Sequence, residues 1–147
     1  MKILIQFLIA VVLCMFYSSL FQRPSEGTVN TLYSVSSILF SVGIGLVVTV
    51  VPNGIKNKGY LRRIKGNLNR VRNCFFIEFL VVTGVHLLCT VRDAPNIHLF
   101  DLFGYHFMFD PIAFELMLLC LSLVYYYLNF IDIQRLNNDI FEVTNKD

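Results

Sequence analysis

The chain has 147 residues, 56% of them hydrophobic and 15% charged, with a mean hydropathy of +0.64. That balance excludes an ordinary soluble domain, in which about 25% of residues are charged, and indicates an all-α membrane protein whose segments close their own backbone hydrogen bonds as helices. The formal net charge of +2 says little, because the charges are segregated: seven cations and no acidic residue fall within residues 53–73.

Four transmembrane helices are expected, at about residues 3–21, 31–51, 74–91 and 111–131. The first follows Lys2 and resembles a signal peptide. It has no small-x-small cleavage site, however, and Val11, Val12 and Leu13 before Cys14 do not make a lipoprotein site, so it is read as a span. Gln6 is the one polar side chain inside its first half. Residues 22–30 read as a short outer connection, where Arg23 and Glu26 cancel and Pro24 and Gly27 break the helix.

The second segment ends at Pro52-Asn53-Gly54 and carries Ser37, Ser41, Gly45 and Thr49 at four-residue spacing. On a helix these make a stripe of low bulk, which lets another backbone approach closely in lipid. The stripe suits packing on a neighbouring helix of the same chain, contact with a second subunit, or the lining of a pore.

Lys56, Lys58, Arg62, Arg63, Lys65, Arg70 and Arg72 follow, interleaved with Ile55, Tyr60, Leu61, Ile64, Leu68 and Val71. A short loop so rich in cations stays in the cytoplasm and sets the orientation of every other segment. It reads as a partly helical stretch along the inner headgroups, where each cation contributes about 1 kcal/mol at an anionic surface. Phosphates of a nucleic acid would also suit these cations. Orientation already accounts for them, so direct nucleic-acid binding is not expected.

The third segment contains Glu78 and His86. The outer loop after it, residues 92–110, packs five aromatic residues between Phe100 and Phe109 and is expected to lie in the outer interface. His98, His106, Asp101 and Asp110 are metal-ligand types at no recognised spacing, so no metal is expected. Asp110-Pro111 starts the fourth helix, as N-cap and first helical residue. That helix bears Glu115 near its outer end, and Asn129 near its inner end beside an aromatic belt of Tyr125, Tyr126 and Tyr127. Asp132, Arg135 and Asp139 recur at three- and four-residue spacing, so residues 132–147 read as a cytoplasmic helical extension with an acidic tail that includes Glu142.

Depth counting at about 1.5 Å per residue puts His86 level with Glu115, and Glu78 level with Asn129. Two pairs are therefore expected to join the third and fourth segments, because a charge facing lipid is expensive. The His86–Glu115 pair could also titrate or sense ions. Cys14, Cys74, Cys89 and Cys120 fall in or beside apolar segments and read as small hydrophobes. No phosphate-binding glycine loop, serine elbow or His-Glu-x-x-His occurs, so neither an enzyme nor a cofactor is expected.

The sum is a four-helix bundle over residues 1–131 with both termini in the cytoplasm. So few helices bury little surface in lipid, which favours a homo-oligomer. This layout of four helices and a cytoplasmic end resembles the membrane subunit of the Kiwa anti-phage defence system, the KwaA family, which works with the cytosolic DNA-binding partner KwaB. The resemblance is one of layout and transfers no residue. It implies an oligomeric sensor in the bacterial inner membrane that docks a cytosolic protein through Lys56, Lys58, Arg62, Arg63, Lys65, Arg70 and Arg72 together with Asp132, Arg135, Asp139 and Glu142. Two other readings fit the residues: an immunity protein against a pore-forming bacteriocin, and a small channel or membrane-depolarising effector.

Overall fold

A computed structural model describes residues 2–50, 58–91, 97–102 and 105–146, without the side chains of residues 2–3, 91, 99–102, 105–107 and 143–146. Four helices, α1 (Lys2–Leu20), α2 (Glu26–Thr49), α3 (Lys58–Val91) and α4 (Pro111–Lys146), are joined by a hairpin of β1 (Ile97–Leu102) and β2 (Tyr105–Phe109) between α3 and α4. Lys56 and the rest of residues 51–57 lie outside the described residues, as do the side chains of Asp101 and His106.

Two helix starts have local causes. Ser25 caps α2, its Oγ accepting from the Thr28 amide at 3.2 Å, and Glu26 places an acid in the first turn. The helix therefore begins five residues before the expected 31, and the connection from α1 shrinks to match. Asp110 caps α4, its Oδ1 accepting from the Ile112 amide at 2.9 Å, with Pro111 at the first helical position.

The aromatic segment between α3 and α4 is not an irregular loop: its described residues pair as a β-hairpin. Ile97 pairs with Phe109 and His98 with Met108; after an irregularity the register resumes at Phe100 and Phe107, Asp101 and His106, and Leu102 and Tyr105. Aromatic and branched residues at high density satisfy a ladder well. Strand β2 packs on α1, and Phe109 stacks toward Phe114 of α4 with centroids 5.6 Å apart.

Burial runs opposite to that of a soluble bundle. Leu4, Leu8, Phe16, Ile38, Val48, Leu80, Leu88 and Leu128 are exposed, while Glu78, Glu115, Ser36 and Ser122 are buried. Helices α2, α3 and α4 are each long and apolar enough to cross a membrane; the apolar stretch of α1, Leu4–Leu20, is shorter. Composition and packing thus agree on a multi-pass membrane protein.

Contacts inside the chain use a different face of α2 from the expected stripe. Val29, Ser36, Gly43 and Val47 are its buried residues, whereas Ser41, Gly45 and Thr49 are exposed and Ser37 is half-buried. The hydroxyls of Ser37, Ser41 and Thr49 bond to carbonyls of their own helix. A four-residue step overshoots a turn by about 40°, so the stripe winds away, while the seven-residue steps from Val29 to Ser36 to Gly43 drift by only about 20° and stay on one face. Packing of the stripe on another helix of the same chain is accordingly corrected.

The basic stretch is more helical than expected: residues 58–73 are not a separate loop but form the first half of the 34-residue helix α3. Ile64 and Leu68 from this half join Ile133 and Ile140 of α4 in one buried cluster, with Tyr60 and Leu136 packed at its edge. The two helices thus run on as an antiparallel stalk, because apolar residues at three- and four-residue spacing on each give both a continuous seam. Tyr126 lies in the core and Tyr125 is half-buried, leaving Tyr127 as the exposed member of the expected belt.

Gly43 admits Phe75 so closely that a methyl group there would collide with the ring, which is itself fully buried, whereas a methyl on Gly45 meets nothing within 4 Å. Gly43→Ala is therefore expected to destabilise the detergent-solubilised chain by about 1–3 kcal/mol. Gly45→Ala should be neutral or slightly stabilising, and denaturant titrations of the two variants check the contrast.

Candidate functional site

Two polar layers cross the bundle. The first lies between the apolar cluster built on Val82 and Leu119 and the one built on Phe75 and Tyr126. Counted along each helix at about 1.5 Å per residue, its members sit roughly 15–20 Å from the hairpin end, near the middle of a core about 30 Å thick. Glu78 Oε1 accepts from Gln6 Nε2 at 2.5 Å and from the Ser122 hydroxyl at 2.6 Å, and Gln6 Nε2 also reaches Ser122 Oγ at 3.1 Å. One carboxylate therefore ties α1, α3 and α4 together. Helix α2 contributes Ser36, next to the Tyr126 hydroxyl.

An aromatic shelf supports this layer from the basic end. Phe40 lies flat on Phe79 at 4.2 Å, and Phe75 lies against Tyr126 at 5.2 Å. The rings exclude lipid chains and water from one side of Glu78, which strengthens the hydrogen bonds there.

The second layer stands about 12 Å nearer the hairpin, eight residues along α3. His86 Nδ1 and Glu115 Oε1 are 2.5 Å apart. Tyr33 stacks on the imidazole with centroids 4.0 Å apart and an interplanar angle of 10°, and its hydroxyl is 3.2 Å from Thr83 Oγ1. The ring is thereby held in one orientation. Beside it opens a cleft of about 80 Å3, lined by Arg23, Glu26, Asn30, His86, Cys89 and Glu115 among others. One water needs roughly 10–15 Å3, so the cleft admits several. Arg23 Nε lies 3.8 Å from Asp110 Oδ1 at its rim. The cleft opens this layer to water at the hairpin end, whereas the side chains of the deeper layer are buried.

The structure brings His86 and Glu115 together and separates Glu78 from Asn129. Asn129 Nδ2 donates to the Tyr125 carbonyl of its own helix at 2.7 Å, and Glu78 takes Gln6 and Ser122 as partners. The expected pair fails because Asn129 lies seven residues beyond Ser122, two turns too near the basic end. Gln6 was detectable as a partner: it is the sole polar side chain between Lys2 and Cys14, four residues into the helix, as Glu78 is four residues past Cys74. Ser122 and Ser36 had no such signal, being two of many small hydroxyl residues.

Lys58, Arg62, Arg63, Lys65, Arg70 and Arg72 are all exposed on α3, and Asp132, Arg135, Asp139 and Glu142 are exposed on α4, so the two groups share the surface of the stalk. The four cysteines are free thiols. Among the described residues no three His, Cys, Asp or Glu side chains gather as a metal site. No family model, curated protein or solved structure matches the chain.

Removing the donor amide should expose the cost of the buried carboxylate. Gln6→Ala is expected to lower stability by about 1–2 kcal/mol. Asn129→Ala should change it by less than about 0.5 kcal/mol, because its bond stays within one helix. Unfolding of both variants in mixed micelles measures the difference.

Proposed function

We propose that the protein is a non-enzymatic subunit of the bacterial inner membrane that docks a cytosolic protein on the α3–α4 stalk. The observation that carries this reading is the stalk itself: Ile64, Leu68, Ile133 and Ile140 close its seam, leaving the charged residues of both helices facing out. A seam of that kind holds two charged helix faces in a fixed geometry, which a partner can recognise; cations needed only for orientation would require no such order. The positive-inside rule puts this end, and with it both chain termini, in the cytoplasm.

The stalk presents opposite charges side by side, with Arg62, Arg63 and Lys65 on one helix and Asp132, Asp139 and Glu142 on the other. Mixed charge favours a protein partner over a nucleic acid, whose phosphates would be repelled by the acidic side. The exposed stripe of Ser41, Gly45 and Thr49 is assigned to a second copy of the chain, since small residues permit close helix approach in lipid. An oligomeric membrane anchor with a docked cytosolic effector is the arrangement of the Kiwa-type defence system, and a role as the sensor subunit of an anti-phage system of that kind is the biological reading we favour. The cleft beside His86 then offers a route by which events at the outer face reach the bundle.

The test is purification of the tagged full chain from its host in mild detergent, with mass spectrometry of what accompanies it. A single cytosolic protein in fixed ratio is expected with the wild type. Its recovery should fall at least tenfold in Arg62→Glu/Arg63→Glu and after deletion of residues 134–147, while the mass of the membrane oligomer stays unchanged. Undiminished recovery in both variants would remove the stalk from the docking surface.

A further inference from the structure

The middle polar layer holds more unpaired oxygen than a buried site tolerates. Glu78 Oε2, Ser36 Oγ and the Tyr126 hydroxyl are all buried and have no hydrogen-bond partner. The Tyr126 hydroxyl adjoins Ser36, near enough for a weak bond between the two that falls short of full hydrogen-bond geometry, and lies within electrostatic reach of Glu78, so the three oxygens belong to one locality. Ser36 is conspicuous on its own helix. Thr31, Ser34, Ser37 and Ser41 each turn the hydroxyl back to the carbonyl four residues earlier, while Ser36, fully buried, leaves its hydroxyl unbonded.

Charge is unbalanced at the same place. Among the described residues no Lys, Arg or His lies within ion-pair distance of Glu78; the ion pairs are Arg23 with Asp110 and His86 with Glu115. Both neutral donors, Gln6 and Ser122, serve the other carboxylate oxygen. A buried carboxylate calls for a counter-charge, and orphaned polar atoms in a native core commonly mark an ion or water. The chain itself supplies none here.

We propose that Glu78 Oε2, with the hydroxyls of Ser36 and Tyr126, binds one sodium ion from outside the chain. The donors are all oxygen, which selects a hard cation. A single carboxylate matches a single positive charge, and the absence of a second acid among the described neighbours rules against a divalent ion, which takes several oxygen ligands with more than one carboxylate as a rule. Bound there, the cation completes a neutral centre to which all four helices contribute: Gln6 from α1, Ser36 from α2, Glu78 from α3, and Ser122 and Tyr126 from α4. The site is thus placed to couple ion occupancy to helix packing. The other titratable groups facing it are Cys74 and Tyr125, which adjoin one another. This inference stands independently of any partner on the stalk.

The test uses the full chain in neutral-lipid nanodiscs, with its unfolding temperature followed in sodium chloride against equimolar choline chloride at neutral and at mildly acidic pH. Constant ionic strength removes screening as a cause. Occupancy is expected to raise Tm by roughly 3 °C or more once the ion is in tenfold excess over Kd. That rise should vanish in Glu78→Gln, which keeps the shape and loses the charge, and persist in Asn129→Ala, whose bond stays within its own helix. A response to sodium at both pH values supports the proposal; a response to acid with none to sodium would overturn it. If Glu78→Gln does not fold, Ser36→Ala and Tyr126→Phe provide the second reading, with the ion concentration needed for the half-maximal shift rising at least fivefold. Wild-type indifference to sodium would overturn the proposal, as would a shift that survives undiminished in Glu78→Gln or an unchanged midpoint in the two hydroxyl variants.

Discussion

A carboxylate in the middle of an apolar bundle must be solvated by the protein, and Glu78 imposes that requirement on every helix around it. Its Oε1 gathers Gln6 and Ser122 from α1 and α4 within 2.6 Å. Hydrophobic burial cannot align helices in lipid, because acyl chains are as apolar as leucine; directional bonds and close packing have to do it. The Glu78 centre supplies the first, and the seat of Phe75 against Gly43 supplies the second. Sliding any helix by one residue would separate at least one of these contacts.

The same alignment carries through the length of α3 and α4. His86 meets Glu115 toward the hairpin, Glu78 meets Ser122 at the centre, and Phe75 meets Tyr126 one turn further on. The pairing then passes without a break into the seam of Ile64 and Leu68 with Ile133 and Ile140. Two helices of 34 and 36 residues are therefore mechanically continuous from the cleft at one end to the charged stalk at the other. A change at the polar layers has a rigid route to the stalk.

The membrane character and four helical segments were legible in the composition and in the apolar runs, and so was the cap at Asp110-Pro111. The pairing of His86 with Glu115 was legible as well, because depth on antiparallel helices follows from rise per residue. The same arithmetic failed for Glu78: in the register set by His86 and Glu115 it falls level with Ser122, and Asn129 lies about two turns further toward the basic end. The stripe through Ser41 and Gly45 misled for a different reason, since four-residue spacing marks a strip that winds around the helix. The stalk was obscured by the weight of its charges. Ile64 and Leu68 were visible between arginines, and their match to Ile133 and Ile140 became meaningful only once the two helices lay side by side. The hairpin was hidden by aromatic residues that suit an interface and a strand equally.

The central claim is that the alignment set at Glu78 extends into an ordered α3–α4 stalk, and a distance measurement reaches it most directly. Spin labels at Lys65 and Arg135, both exposed, would be placed in the full chain reconstituted in bilayers, and their separation read by pulsed dipolar spectroscopy. Packed helices lie about 8–10 Å apart, so with the label arms a single narrow distribution below roughly 25 Å is predicted. A broad distribution centred well beyond that value would show α3 and α4 parting at the membrane surface, and would contradict the account.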